Sequence, residues 1–331
     1  MNANTPASTA QTALPDWALQ SEPVEGVRID IAFIVEPSFY YGPSSHISPE
    51  QWRNLREPLY QPAIPGAEQG FVLSADCVGH EEELHRHYRD LLAKAAQRGK
   101  NILVVPFHVP ASEFRKSMGA CEGVRNVPGV LVTIPHKRAA LGLCADVTER
   151  ARFAGSVNVM RKEARGWFGD NTDGCGYMDG IARLGFTVEG KSALLVGCGG
   201  AGSAIAFEIL RRGAARLALH DVDAGRRDAL IERLSAAFPG RVYEGSEDPT
   251  GYDFVANATP MGMDPADPLP VIVENLTASQ FVACAVTKPA VPPLIEAARQ
   301  RGCATMTGAG MFQAQAEILI DFLLAQGSAN A

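Results

Sequence analysis

The chain has 331 residues, 46% of them hydrophobic and 20% charged, with a formal net charge of −7. That length predicts two domains of an ordinary globular composition. An acidic balance with no compensating Lys/Arg block excludes nucleic-acid and anionic-membrane surfaces, and no apolar run approaches a membrane span, so a cytoplasmic protein is expected.

In chain order, residues 1–25 are rich in Ala, Thr, Ser, Gln and Pro and show no period, which predicts a mobile tail. Residues 26–70 form an N-terminal extension. It holds an apolar run over Ile29–Val35, a turn-rich loop over Tyr41–Glu50, a short helix near Glu50–Leu55 and breaks at Pro58, Pro62 and Pro65. From Phe71 the pattern alternates: a strand at Phe71–Leu73, a helix over Glu81–Gln97 and a strand at Asn101–Val105. A helix over Ser112–Met118 and a strand at Gly129–Ile134 follow. Further strands are expected at Tyr252–Asn257, Phe281–Val286 and Ala304–Met306, with helices at Pro293–Arg301 and Ala309–Ala325. Such alternation predicts an α/β fold with mostly parallel sheet.

The most specific signal lies between these segments. An apolar strand, Ala193–Val196, enters a loop in which Gly197, Gly199 and Gly202 stand in the G-x-G-x-x-G spacing, with Gly200 and Ala201 between them. A helix from Ser203 and a strand over Arg216–His220 follow, and the strand ends at Asp221. Glycines of this spacing let backbone N–H groups approach a diphosphate at a helix N-terminus, and an acid about 20 residues on suits a ribose diol. Strand, loop, helix, strand and acid in order predict a dinucleotide-binding Rossmann domain.

Two other stretches could carry chemistry. Val132–Lys137 ends a strand in a loop, although on composition alone Lys137 reads as an ordinary surface lysine. Asn171 and Asp173 lie in a Gly-flanked segment whose simplest reading is a solvated turn. The histidines show no ligand spacing, so no metal is expected. The seven cysteines are an odd number without a C-x-x-C pair and read as reduced thiols in the core.

Thr133-Ile-Pro-His-Lys137, Gly155-Ser-Val-Asn158, Asn171-Thr-Asp-Gly174, the Gly197 loop, Asn257–Met263 and Gly310–Gln315 occur in the order seen in shikimate dehydrogenases. From Phe71 onward the chain resembles the shikimate/quinate dehydrogenase family. The resemblance implies Lys137 and Asp173 as the acid/base pair, with Thr133, Asn158 and Gln315 on the substrate. It places Thr259, Met261 and Gly310 beside the cofactor along with the glycine loop and Asp221. It also implies an N-terminal substrate domain over 71–177, completed by a C-terminal helix in 309–331, and a Rossmann domain over 178–308. Asp221 and Asp223 stand where NADP-using members carry a phosphate-clamping arginine, which points to NAD rather than NADP, with Arg226 and Arg227 as the counter-signal. The implied reaction is hydride transfer between the nicotinamide and a ring hydroxyl of a shikimate- or quinate-like acid, by a monomer or homodimer.

The family's Ser-x-Ser-Pro substrate loop has no plain counterpart. A gapless placement puts His85, Arg86 and His87 there, and a rival placement uses Ser45 and Ser48. Thr287 and Lys288 also replace a Tyr-Asn-Pro-type segment, in a form similar to quinate-type branches. The alternative function is therefore a dinucleotide-binding ligand sensor, or an enzyme for an amino-substituted ring acid.

Overall fold

The computed structural model describes residues 69–325 apart from 76–90, 92, 96, 100, 108, 125, 126, 134 and 265. The tail, Ser45, Ser48 and the His85–His87 segment lie outside the described residues.

The described chain forms two six-stranded sheets. The first contains β1 (Gln69–Ala75), β2 (Asn101–Phe107), β3 (Gly129–Val132), β4 (Cys144–Val147), β5 (Val159–Glu163) and β6 (Gly166–Asp170), in the order β2-β1-β3-β5-β6-β4. Most of its pairings are parallel, as expected, but β5 runs antiparallel to both β3 and β6. The cause is local. Glu163 pairs with Gly166, so only Ala164 and Arg165 connect β5 to β6, and two residues can close a hairpin but cannot cross over. Three short helices, α1 (Phe114–Gly123), α2 (Lys137–Leu141) and α3 (Glu149–Ala154), complete this half. Helix α1 begins two residues later than the sequence suggests, after a 3-10 turn at Ala111–Glu113.

After α4 (Asp173–Arg183) the second sheet follows the doubly wound order. Its strands are β7 (Ser192–Val196), β8 (Arg216–His220), β9 (Val242–Glu244), β10 (Phe254–Asn257), β11 (Phe281–Cys284) and β12 (Ala304–Met306). Read from β9, the order is β9-β8-β7-β10-β11-β12, parallel throughout. The strand order reverses between β7 and β10, and in such sheets ligands bind outside the carboxyl ends at that switch. Helices α5 (Gly200–Arg211), α6 (Ala224–Ala237) and α7 (Pro293–Gln300) belong to this half. Strands β7, β10 and β11 are buried along their whole length, which explains why they are apolar except at Ser192 and Asn257.

Helix α8 (Gly308–Leu324) returns to the first half. Its Leu319, Ile320, Phe322 and Leu323 join Leu91, Ala95, Leu131 and Val159 in one apolar cluster. Lys94 pairs with Glu317, and Arg98 meets Asp321 at 2.6 Å. Helix α4 is wedged between α5 and α8. A Cβ on Gly174 would stand 2.2 Å from the Ala204 carbonyl oxygen of α5, and one on Gly176 would stand 2.7 Å from the Gln315 Cβ of α8. Glycine is what lets these backbones touch. The division drawn at residues 177 and 178 falls inside α4.

Candidate active site

Strand β3 delivers Thr133, half-buried at its end, into a loop that turns at once into α2. His136 anchors that loop. Its buried ring stacks on Phe114 at 4.4 Å with the planes 5° apart, and its Nε2 lies 2.8 Å from the Val109 carbonyl oxygen. The Val157 N–H donates to the Lys137 carbonyl at 2.8 Å, pinning the start of α2 to the segment that precedes β5. With His136 turned inward, Lys137 reaches α4, where its Nζ donates to Asp173 Oδ2 at 2.6 Å.

Asp173 is the first residue of α4 and only 3% exposed, so the expected solvated turn is instead a buried helix start. Its Oδ1 accepts from Asn158 Nδ2 at 2.8 Å and from Gln315 Nε2 at 3.1 Å. Both amides also donate to the Thr172 hydroxyl, at 3.1 and 2.7 Å. Lys137, Asn158, Asp173 and Gln315 therefore meet from four separate elements. Such a cluster fixes a carboxylate and points an ammonium, which suits proton transfer to or from a hydroxyl.

Residues that carried no sequence signal buttress this cluster. Arg150 of α3 grips the fully buried Asp170 with its Nε at 2.7 Å and with its Nη2, and the Thr148 hydroxyl donates to the same carboxylate. The Asn171 N–H also donates to Asp170, at 2.7 Å, so the segment entering α4 is tethered from below. No spacing rule identifies such a pair; its only trace is an acid placed directly before Asn171.

At the switch between β7 and β10, Gly197 adopts φ +99°, and its N–H donates to the His220 carbonyl at 2.8 Å. A Cβ on Gly202 would lie 1.9 Å from the Gly197 oxygen, which forces glycine there. Beside Gly199, by contrast, a Cβ would meet nothing within 4 Å, and no side chain caps the first turn of α5. Open space beside Gly199, at the uncapped first turn that holds Gly200 and Ala201, fits a diphosphate. Asp221, 7% exposed, accepts from the Cys198 N–H at 2.7 Å and the Asp223 N–H at 2.9 Å. Arg226 lies 3.4 Å from Asp221 and 3.3 Å from Asp223, and Arg227 pairs with Glu244 at 2.6 Å and Asp228 at 2.8 Å. Burial first, and the Asp221 charge second, push the Cys198 thiol up to about 12, so it stays protonated.

The turn after β10 closes on the same loop. Thr259 donates its hydroxyl to Asn257 at 2.7 Å, receives the Met261 N–H at 3.1 Å, and places its methyl 2.8 Å from the Cβ position of Gly197. Gly310 sits in the first turn of α8 with its carbonyl against Gly180 of α4, a packing role in its own right. No group of three or more potential metal ligands occurs among the described residues, and no described helix is long and apolar enough to cross a membrane.

Residues 91–160 match the family model for the shikimate dehydrogenase substrate binding domain. The shikimate dehydrogenase (NADP(+)) of Rubrobacter xylanophilus is 36% identical over 223 residues, 65% of this chain and 78% of that protein. Among solved structures, the quinate dehydrogenase of Corynebacterium glutamicum in complex with NAD is 27% identical, with a TM-score of 0.67 over 78% of this chain and 94% of its own. The ligand-free 5-ketofructose reductase of Gluconobacter sp. strain CHM43 is 26% identical, with the same TM-score and coverage.

Proposed function

Because the chain belongs to the shikimate dehydrogenase family, we propose that it is a nicotinamide-dependent oxidoreductase acting on a ring hydroxyl of a shikimate- or quinate-like polyhydroxy acid. The observation that carries this reading is the Lys137–Asp173 contact at 2.6 Å, held by amides from Asn158 and Gln315. A bound nicotinamide supplies the hydride acceptor or donor. Lys137 takes the hydroxyl proton during oxidation and returns it during reduction, while Asp173 keeps the amine in place. Residues 71–177 with 309–331 would form the substrate side and 178–308 the nucleotide side, with α4 common to both.

For the cofactor we propose NAD. Its support is local: Asp221 and Asp223 line the strand end, and both nearby arginines are already paired with carboxylates. A 2′-phosphate would meet two like charges, whereas a ribose diol can donate to Asp221. The Rubrobacter relative is named for NADP(+) and the Corynebacterium structure for NAD, so the two cofactors must be compared directly.

The test is nicotinamide absorbance with NAD and NADP against shikimate, quinate and 5-ketofructose, with Lys137→Ala as control. Turnover with NAD that Lys137→Ala abolishes is the expected result. A wild-type protein as silent as the Lys137→Ala variant on every substrate sinks the proposal, and a higher kcat/KM with NADP sinks the cofactor assignment.

A further inference from the structure

A short line of neighbouring residues runs from the glycine loop to the Lys137–Asp173 pair. Ser156 lies in the turn between α3 and β5 and is fully buried. Gly200, the first residue of α5, is its neighbour: a Cβ there would stand 3.2 Å from the Ser156 Oγ and 3.5 Å from its Cβ, so the bare glycine leaves only a narrow gap between them. The same hydroxyl accepts from Asn171 Nδ2 at 2.9 Å, and the Ser156 carbonyl accepts from that amide at 3.3 Å. Asn171 then uses its Oδ1 to accept the Asp173 N–H at 3.1 Å. Ser156, Asn171 and Asp173 are 0, 1 and 3% exposed, so this part of the line is shut off from solvent. Close-packed interiors transmit displacement rather than absorb it. A shift of the first turn of α5 therefore bears on Ser156, through it on the Asn171 amide, and so on the backbone that aims the Asp173 carboxylate.

We propose that Ser156 is a positioning residue that couples dinucleotide binding at the glycine loop to the placement of Asp173. The proposal rests on the dinucleotide reading of that loop, but not on which ring acid is turned over. Ser156→Ala removes the hydroxyl and leaves Asn171 only the longer contact to the backbone carbonyl. Asn171→Ala breaks the line one step further on, without touching the loop.

The probe is NADH alone, with hydrogen exchange read on peptides covering residues 170–176. In wild-type protein, NADH is expected to slow exchange there by about fivefold or more, the lower range of site-to-site coupling. In Ser156→Ala and Asn171→Ala, NADH binding by fluorescence stays within about twofold while that slowing is lost, and kcat falls about tenfold, as for one lost hydrogen bond. A thermal melt of each variant separates this outcome from loss of fold. If Ser156→Ala keeps both the NADH-linked slowing and its kcat, Ser156 has no such role. If wild-type protein does not bind NADH, the dinucleotide reading falls and takes this proposal with it. NADH-linked slowing that Ser156→Ala abolishes, in a protein that turns over no ring acid, supports the coupling and overturns only the substrate assignment.

Discussion

Replacing Gly174 by Ala gives the sharpest test of how the fold positions the chemistry. The added Cβ would stand 2.2 Å from the Ala204 carbonyl oxygen, 2.6 Å from its carbon and 2.8 Å from Glu208 Cγ, and two of these atoms are backbone. Ordinary contact begins at 3.4 Å, so α4 would have to retreat by 3.4 − 2.2 = 1.2 Å. It cannot do so freely, because Gly176 on the same helix already touches Gln315 of α8. Overpacking of this kind costs about 1–3 kcal/mol, equivalent to a fall of roughly 1–5 °C in Tm for a protein of this size. Asp173 begins the displaced turn, and a misplacement near 1 Å costs about 100-fold in rate. Gly119→Ala is the matched control: its Cβ would meet nothing within 4 Å in α1, and it should gain about 0.4–1 kcal/mol. Differential scanning calorimetry and steady-state kcat read the pair. A Gly174→Ala protein that melts with wild type and keeps its kcat refutes the claim that backbone contact between α4 and α5 sets the site.

Asp173→Asn and Lys137→Ala should each lower kcat by about 10²–10⁴-fold with NADH affinity retained, as measured by fluorescence titration. Asp221→Ala should shift the NADP-to-NAD ratio of kcat/KM by about tenfold, or about 1.4 kcal/mol, and an unchanged ratio would remove Asp221 from cofactor choice. Arg150→Met leaves the buried Asp170 carboxylate without its guanidinium and should cost about 3 kcal/mol in urea unfolding; adding Asp170→Asn should recover part of it. Burial alone would raise the Glu208 carboxyl, but its hydrogen bonds and charges with Arg211 and Arg212 outweigh burial and hold it below the usual glutamate range. A carboxyl depressed in the folded state lends its stability above the unfolded pKa and loses it as pH falls through the folded one. The urea midpoint should therefore drop on acidification below the usual glutamate range, and less steeply in Glu208→Gln.

The nucleotide half was legible because its signal is local. Strand, glycines, helix, second strand and Asp221 are nearly consecutive, and β8 has the expected limits, Arg216–His220. The substrate half depends on contacts that no window contains. Asp173 looked solvated because the group that covers it, Gln315, lies 142 residues downstream, and Gly174 admits α5 from the other side. Strand β5 was hidden by Arg161, Lys162 and Glu163, which break its apolar run. Arg161 is tolerated there because its guanidinium lies against the stacked Phe168 and Phe322 rings, 4.8 and 4.7 Å from their centres, and pairs with Glu163 at 2.6 Å. Family order, rather than composition, identified Lys137 as more than a surface lysine.

The Lys137–Asp173 contact joins two differently anchored segments. Asp173 is set by α4, which touches α5 through Gly174 and α8 through Gly176 and Gly180. Lys137 is set by the sheet side, through the His136 stack on Phe114 and the Val157 N–H. Asn158, just before β5, is the direct tie from that sheet to the Asp173 carboxylate. Changes at the α4 packing glycines should therefore alter kcat while leaving the choice between NAD and NADP intact, because Asp221, at the end of β8, hangs on the Cys198 N–H of the glycine loop. Changes at Asp221 should do the reverse. A Gly174→Ala protein with an altered cofactor ratio would mean that the α4 packing sets the cofactor end as well.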